Sequence, residues 1–267
     1  MERLSSVQNP KVRAYTALLS SSKQRYAEGL FVLEGLRLCT DVLRSNYTVE
    51  QLFFTADAYE KSREEIDALI AVSKQCFEIT DNVSAKMSDT KNSQGVFCVV
   101  GGLDKRSDSN KMDVSGKYIL LENVQDPANL GAVSRTAEAL GITGLIVSGG
   151  CDVYSPKALR ASMGALLRLP VIMTDDVTGT IESAHKLGMK TYASTPNADA
   201  KDITTVSFDG GVIAVIGNEA NGVCESTMEC CTERITIRMT GRAESLNAGA
   251  AASIIMWEMV TPRNDKS

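Results

Sequence analysis

Histidine occurs once in the 267 residues, at His185, and that scarcity excludes more chemistry than any other feature of the composition. A serine–histidine–carboxylate triad would have to use His185, and a histidine-rich zinc or non-haem iron site has too few ligands to form. His185 stands in IESAHKLG, which reads as an ordinary amphipathic helix, so it is expected to be structural or solvent-facing. The seven cysteines are an odd number with no C-x-x-C pair, and Cys98 lies in the apolar run GVFCVV, where a buried thiol fits. Neither a disulfide framework nor a metal cluster is expected. No apolar run approaches the roughly 20 residues of a membrane span, and the first thirty residues lack the apolar block of a secretory leader, which points to a cytosolic protein. With 28 basic and 33 acidic side chains, a net charge of -5 argues against coating nucleic acid by bulk charge and leaves room only for a local basic patch. There is no G-x-G-x-x-G behind a strand and no G-x-x-x-x-G-K-[ST], so dinucleotide and P-loop chemistry lose their main support.

What is present is an alternation of strand-like and helix-like segments on both sides of one compositional break. The run GGLDKRSDSNKMDVSG, residues 101–116, is almost free of apolar side chains and reads as a linker. This gives domains at 1–104 and 117–267, joined by 105–116. In the first, Asn9-Pro10 is a helix start, with Asn as cap and Pro in the first turn, and Val12, Tyr15, Leu18 and Leu19 form its apolar face. Around it Arg3, Lys11, Arg13, Lys23, Arg25 and Arg37 outnumber Glu2, Glu28 and Glu34. These bases are read either as a solvated face or as phosphate contacts. GLFVLEG, VEQLFFT, CFEIT and GVFCVV read as strands and SREEIDALIAVSKQ and SAKMSDTK as helices, which predicts a small α/β sandwich.

The second half predicts strands at KYILLENV, GLIVSGG, TYAST, VIAVIGNE and RITIRM. Helices are predicted at AVSRTAEAL, PKALRASMGALL, TIESAHKL and SLNAGAAASIIMWEMV. Three of its segments put polar or glycine residues directly after an apolar strand, where open α/β sheets hold ligands. In LLENVQDPANLGAVSRTAEALG, a helix beginning near Asn129 places Leu130, Val133, Ala137 and Leu140 on one face and Arg135 away from it. In VIAVIGNEANGV, Gly217 permits close backbone approach and Glu219 follows the strand beside Asn218 and Asn221. In ITIRMTGRAESLNAGAAASIIMWEM, the small run from Ala248 to Ser253 fits either tight helix packing or a ligand pressed against the preceding loop.

Together these three segments resemble, in order and spacing, the three motifs of the SpoU/TrmH branch of the SPOUT RNA methyltransferases: DPANLGAVSRTAEALG, VIGNEANGV and IRMTGRAESLNAGAAASI. The first half, with SSVQNPKVR and FVLEGLRL, is similar to the L30e-like RNA-binding domain of many members. The resemblance implies an L30e-like α/β sandwich followed by a SPOUT α/β domain with a deep trefoil knot, and a homodimer formed through the C-terminal domain. It implies transfer of methyl from S-adenosylmethionine to a ribose 2'-hydroxyl of structured RNA, with ribosomal RNA favoured over transfer RNA; a catalytically silent RNA-binding protein of the same fold is the rival. Carried over by position, Asn129, Arg135, Glu219, Ser245 and Asn247 form the catalytic set. Thr195, Gly217, Ile237, Met239 and Leu246 match cofactor-holding positions, and no metal is implied. The proline usual between Ile237 and Met239 is replaced by Arg238. With no histidine near the motifs, Arg135 is either a perturbed proton acceptor or, as we favour, a fixed cation facing the developing alkoxide. Lys11, Arg13, Lys23 and Arg25 are the candidate phosphate contacts.

Overall fold

The computed structural model describes residues 2–102, 112–197 and 199–262; residues 105–111 of the expected linker lie outside them. The chain divides into two units. The first gathers the described residues through 102 together with Asp152–Arg168, and the second holds the others. The expected domain 117–267 thus lends a segment to the first unit. Sequence pattern predicts one helix over PKALRASMGALL, but the chain turns at Met163 and Gly164, both at positive φ (51° and 83°), and makes two short helices. Polar pairs hold the segment in the first unit: Tyr154 Oη to Tyr47 Oη at 3.0 Å, Arg160 to Asp89 at 2.7 Å and Arg168 to Asp41 at 2.9 Å.

The first unit runs β1 (Glu2–Leu4), α1 (Pro10–Ser20), α2 (Ser22–Glu28), β2 (Leu30–Glu34), α3 (Leu36–Asp41), β3 (Thr48–Thr55), α4 (Ala56–Lys61), α5 (Arg63–Val72), β4 (Gln75–Ile79), α6 (Asp81–Met87) and β5 (Val96–Gly101). Its five strands pair in the order β1-β4-β3-β5-β2, with β5 antiparallel to both neighbours. Every residue of β5 is buried, which is why VFCVVG carries no polar alternation. Helix α1 starts as predicted: Asn9 Oδ1 accepts from the Lys11 amide at 2.9 Å, and Pro10 occupies the first turn. It buries Val12, Tyr15 and Leu18, and the Tyr15 ring meets Phe53 and Phe97 edge-on at centroid distances of 6.1 and 5.7 Å.

In the remaining sequence come β6 (Lys117–Glu122), α7 (Pro127–Ala139), β7 (Gly144–Ser148), α8 (Pro156–Ala161), α9 (Ala165–Arg168), β8 (Val171–Met173), α10 (Val177–Lys186), β9 (Lys190–Ser194), β10 (Lys201–Asp202), β11 (Val212–Ile216), α11 (Glu225–Cys230), β12 (Glu233–Thr236) and α12 (Ala248–Val260). Of these, α8 and α9 lie in the first unit. The seven strands of the second unit pair in the order β10-β12-β9-β11-β6-β7-β8, and each pairing is parallel. Leu120, Ile146, Ile172, Ala193, Ile213 and Val215 build its core with Ile181 and Ala184 of α10.

Because the strands are parallel, the loops that follow them open at one end of the sheet. The chain leaves β6 toward β7 on one side and leaves β11 toward β12 on the other. The carboxyl ends of the neighbouring strands β6 and β11 therefore flank a crevice where the winding direction reverses, the position at which open parallel sheets bind ligands. Three of the motif segments predicted from sequence follow β6, β11 and β12, so topology alone brings them to the same end.

Candidate active site

Helix α7 begins at Pro127 with Asp126 as its cap, two residues before the start read from the sequence; Asp126 Oδ1 accepts from the Ala128 amide at 2.9 Å. Asn129 therefore lies in the first turn, 6% exposed, with its side chain directed toward the loop after β11 rather than to solvent. There Asn129 Nδ2 donates to Glu219 Oε1 at 2.9 Å, and the Asp126 amide donates to the same oxygen at 3.0 Å. The Gln125 amide donates to Glu219 Oε2 at 3.0 Å. Partial burial opposes ionisation of Glu219, but these three donors outweigh it and hold the carboxyl down at about 2. The carboxylate is thus fully engaged in tying the loop after β11 to the start of α7.

The third segment joins through Asn247, whose Nδ2 donates to Asn129 Oδ1 at 2.9 Å. Its own Oδ1 accepts from the Gly249 and Ala250 amides at 2.9 and 3.2 Å, capping α12. Both ends of the Asn129 amide are therefore used, one toward each of the other motifs. The small run after Asn247 packs closely within the chain: a Cβ at Gly249 would lie 3.2 Å from Asn247 Oδ1 and in ordinary contact, 3.5 Å, with Ala132 and Asn129 of α7, and one turn on, Ser253 Oγ lies 3.1 Å from Thr136 Oγ1.

Other residues singled out from sequence stand outside this network. Arg135, Ser245 and Leu246 are exposed, and the side chains of Arg135 and Ser245 make no hydrogen bond or ion pair with a described residue. Arg135 is on α7, six residues past Asn129, where the predicted face of Leu130, Val133 and Ala137 is buried and Arg135 is not. Strand β12 ends at Thr236, so Ile237 and Met239, expected within a strand, sit half-buried on the loop beyond it. Thr195 follows β9, the strand paired with β12, and its amide donates to the Ile235 carbonyl at 2.9 Å. Gly217 is required by the chain itself, since a Cβ there would run into the backbone of Gly222 and Val223. Arg238, at the unusual position, pairs with Asp202 of β10 at 3.2 Å on the exposed edge of the sheet.

The sequence marks Asn218 only as a neighbour of Glu219 and gives no signal for Asn123 or Gln125. Asn123 adopts φ 56°, a left-handed conformation that asparagine tolerates better than most residues, and the Asn218 side chain donates to its carbonyl at 2.9 Å. Adjacency to Glu219 was the only signal available for Asn218. No sequence pattern announces a left-handed Asn123.

Among the candidate phosphate contacts, Arg13 and Lys23 are exposed, whereas Lys11 pairs with Glu2 at 2.9 Å and lies over the Phe77 ring. Arg25 corrects the expectation. It is 4% exposed, its Nε donates to Asp152 Oδ2 at 2.9 Å, and its Nη1 bonds to the carbonyls of Leu18 and Leu19, so it has nothing left to offer an RNA phosphate. The cause is α2, which ends at Glu28 and turns this arginine inward against Asp152. His185 Nε2 lies 2.8 Å from Thr191 Oγ1, a local structural contact. Two cavities, of about 500 and 350 Å³, both lie in the first unit and away from the motif residues. Among the described residues no three His, Cys, Asp or Glu side chains gather so as to hold a metal ion, and no helix is long and apolar enough to cross a membrane.

Residues 116–257 match the model of the SpoU rRNA Methylase family, and residues 9–98 match an MRM3-like substrate binding domain. The chain is 31% identical over 258 residues to an uncharacterized tRNA/rRNA methyltransferase of Synechocystis, covering 96% of this chain and 92% of the relative. It is 25% identical over 260 residues to the 23S rRNA (guanosine(2553)-2'-O)-methyltransferase RlmP of Bacillus subtilis, covering 97% and 99%. Among solved structures it resembles an AdoMet-bound rRNA methyltransferase from Sinorhizobium meliloti with a TM-score of 0.85 at 27% identity, each chain covered to 97%.

Proposed function

The chain belongs to the SpoU rRNA methylase family, and from that premise we propose that it methylates a ribose 2'-oxygen of ribosomal RNA, using S-adenosylmethionine. The observation that carries this reading is the Asn129 amide held between Glu219 and Asn247, which joins three separate segments into one frame with Arg135 six residues further along the same helix.

The loops after β9, β11 and β12 suit the cofactor. They offer backbone groups beside incompletely covered apolar side chains: Ile237 and Met239 are half-buried and Leu246 is 37% exposed. Thr195, Gly217, Ile237, Met239 and Leu246 would hold the cofactor there, Gly217 by shaping its own turn. When bound, it supplies an electrophilic methyl on a sulfonium centre. The protein's task is then mainly alignment, which can contribute several kcal/mol. Glu219, Asn129 and Asn247 fix the loops against one another, and Ser245 lies within the loop so fixed. Arg135 faces solvent with its guanidinium uncommitted, as a cation waiting for RNA would, and stabilises the 2'-oxygen as its proton departs to water or phosphate. The alternative in which Arg135 itself takes the proton needs an adjacent phosphate to perturb it.

We read 1–104 as the RNA-substrate domain, with Arg13 and Lys23 contacting phosphates and Lys11 doing so from its place over Phe77. Residues 105–116 are read as linker and 117–267, apart from the segment Asp152–Arg168 that joins the first unit, as the catalytic SPOUT domain with a trefoil knot. A homodimer through the C-terminal domain is supported by α12, where Ile254 and Trp257 are 39% and 58% exposed. A ribosomal substrate supports a cytoplasmic location. Calorimetry separates the classes: S-adenosylmethionine should bind and NADH should not. Methyl transfer to ribosomal RNA but not to transfer RNA supports the favoured substrate. Transfer RNA alone as acceptor overturns that choice, and cofactor binding without transfer to either leaves a silent RNA-binding protein.

A further inference from the structure

We infer that Asn218 is a positioning residue of this site: its side chain fastens the loop after β11 to the loop after β6, and so seats the Glu219 carboxylate on the Gln125 and Asp126 amides. The consequence for turnover rests on the methyl-transfer reading above; the positioning itself stands on geometry.

The turn that presents Glu219 is closed at its base by backbone bonds between Asn218 and Gly222, at 3.0 and 2.9 Å in the two directions. Within it, Asn218 Oδ1 accepts from the Ala220 and Asn221 amides at 2.9 and 3.1 Å, which sets the direction in which Glu219 leaves the turn. The other end of the same amide leaves the loop: Nδ2 donates to the Asn123 carbonyl at 2.9 Å. One side chain thus shapes the turn and also attaches it to the segment it must meet.

That segment is itself fixed from the far side. The Asn123 amide donates to Ser148 at 2.7 Å, and the Cys151 amide donates to Val124 at 2.9 Å. Gly150 leaves no room for a side chain against the Val124 backbone. Asn123 Oδ1 accepts from Gln125 Nε2 at 2.7 Å, so the residue whose carbonyl takes the Asn218 bond also steadies the residue whose amide meets Glu219. Asparagine suits position 218 because it alone combines, at this length, an acceptor for the turn amides with a donor for a carbonyl. Aspartate keeps the acceptors and replaces the donor with an oxygen that repels the Asn123 carbonyl.

The test uses the full chain carrying Asn218→Asp, Asn218→Ala, Glu219→Gln and the double variant Asn218→Asp with Glu219→Gln. Two readouts are amide hydrogen exchange of the peptide containing Gln125 and Asp126, and S-adenosylmethionine affinity by calorimetry. Both Asn218 variants should speed exchange at that peptide while leaving α10 unchanged, and should weaken affinity by about tenfold, the effect of one lost hydrogen bond. The double variant should bind no more weakly than Glu219→Gln alone, because Asn218 acts through Glu219. Unchanged exchange at 125–126, or effects that multiply in the double variant, overturn the inference. If the unaltered chain binds no S-adenosylmethionine, the functional reading fails, and the exchange measurement alone decides the role of Asn218.

Discussion

The Asn129 side chain donates to Glu219 Oε1 at 2.9 Å, and through this bond a carboxylate on one loop governs the start of the helix that carries Arg135. Glu219 titrates at about 2 in the folded chain, below the ordinary 4.5. A depressed carboxylate contributes stability that is fully present above about 4.5 and lost as pH falls through about 2. The group is exposed, so solvent screening reduces the contribution to roughly 1 kcal/mol. Glu219→Gln should remove the Glu219 part of the pH dependence of urea unfolding between pH 4.5 and 2, and should be less stable than the parent at pH 7. An unchanged slope across that window contradicts the assignment.

Arg135 gives the opposite separation of stability from activity. Its side chain bonds to no described residue, so Arg135→Lys should unfold within about 0.5 kcal/mol of the parent. Methyl transfer should nevertheless fall about a hundredfold, because both roles considered for Arg135 use the planar guanidinium. Near-normal turnover in Arg135→Lys, measured with saturating RNA, removes Arg135 from the reaction.

The frame of the second unit was legible from sequence because its central strands β6, β7 and β11 are buried apolar runs. Asn129, Glu219 and Asn247 could be picked out because each follows such a run or opens the next helix. What escaped depends on tertiary context. Nothing in a one-dimensional pattern turns Arg25 inward onto Asp152, places Asn123 at φ 56° or breaks PKALRASMGALL at Gly164. The short strands β1, β8 and β10, of three, three and two residues, and the six-residue helix α11 are too brief for any period to register.

Arg25 is expected to matter for folding rather than for RNA. Arg25→Ala leaves Asp152 largely buried without its partner and should cost about 3–5 kcal/mol in urea unfolding; adding Asp152→Ala should restore part of it. Arg13→Glu with Lys23→Glu should instead leave stability intact, weaken RNA binding and reduce the slope of log affinity against log salt by roughly one to two. If the Arg13 and Lys23 variant binds RNA normally, these residues are not phosphate contacts.

Trp257 is more than half exposed on a helix that is apolar on nearly all sides. A second copy covering this face would bury it. Trp257→Glu should convert a dimer to a monomer in light scattering at micromolar concentration. A parent chain that is already monomeric rejects the dimer proposal.

The most direct test of the central claim is the chemical position of the transferred methyl. Purified chain, S-adenosylmethionine carrying a labelled methyl and unmodified ribosomal RNA should yield label in an alkali-resistant dinucleotide at one site, since a methylated 2'-oxygen blocks cleavage of the adjoining phosphodiester. Label released in alkali-sensitive mononucleotides would place the methyl on a base and contradict ribose 2'-O-methylation.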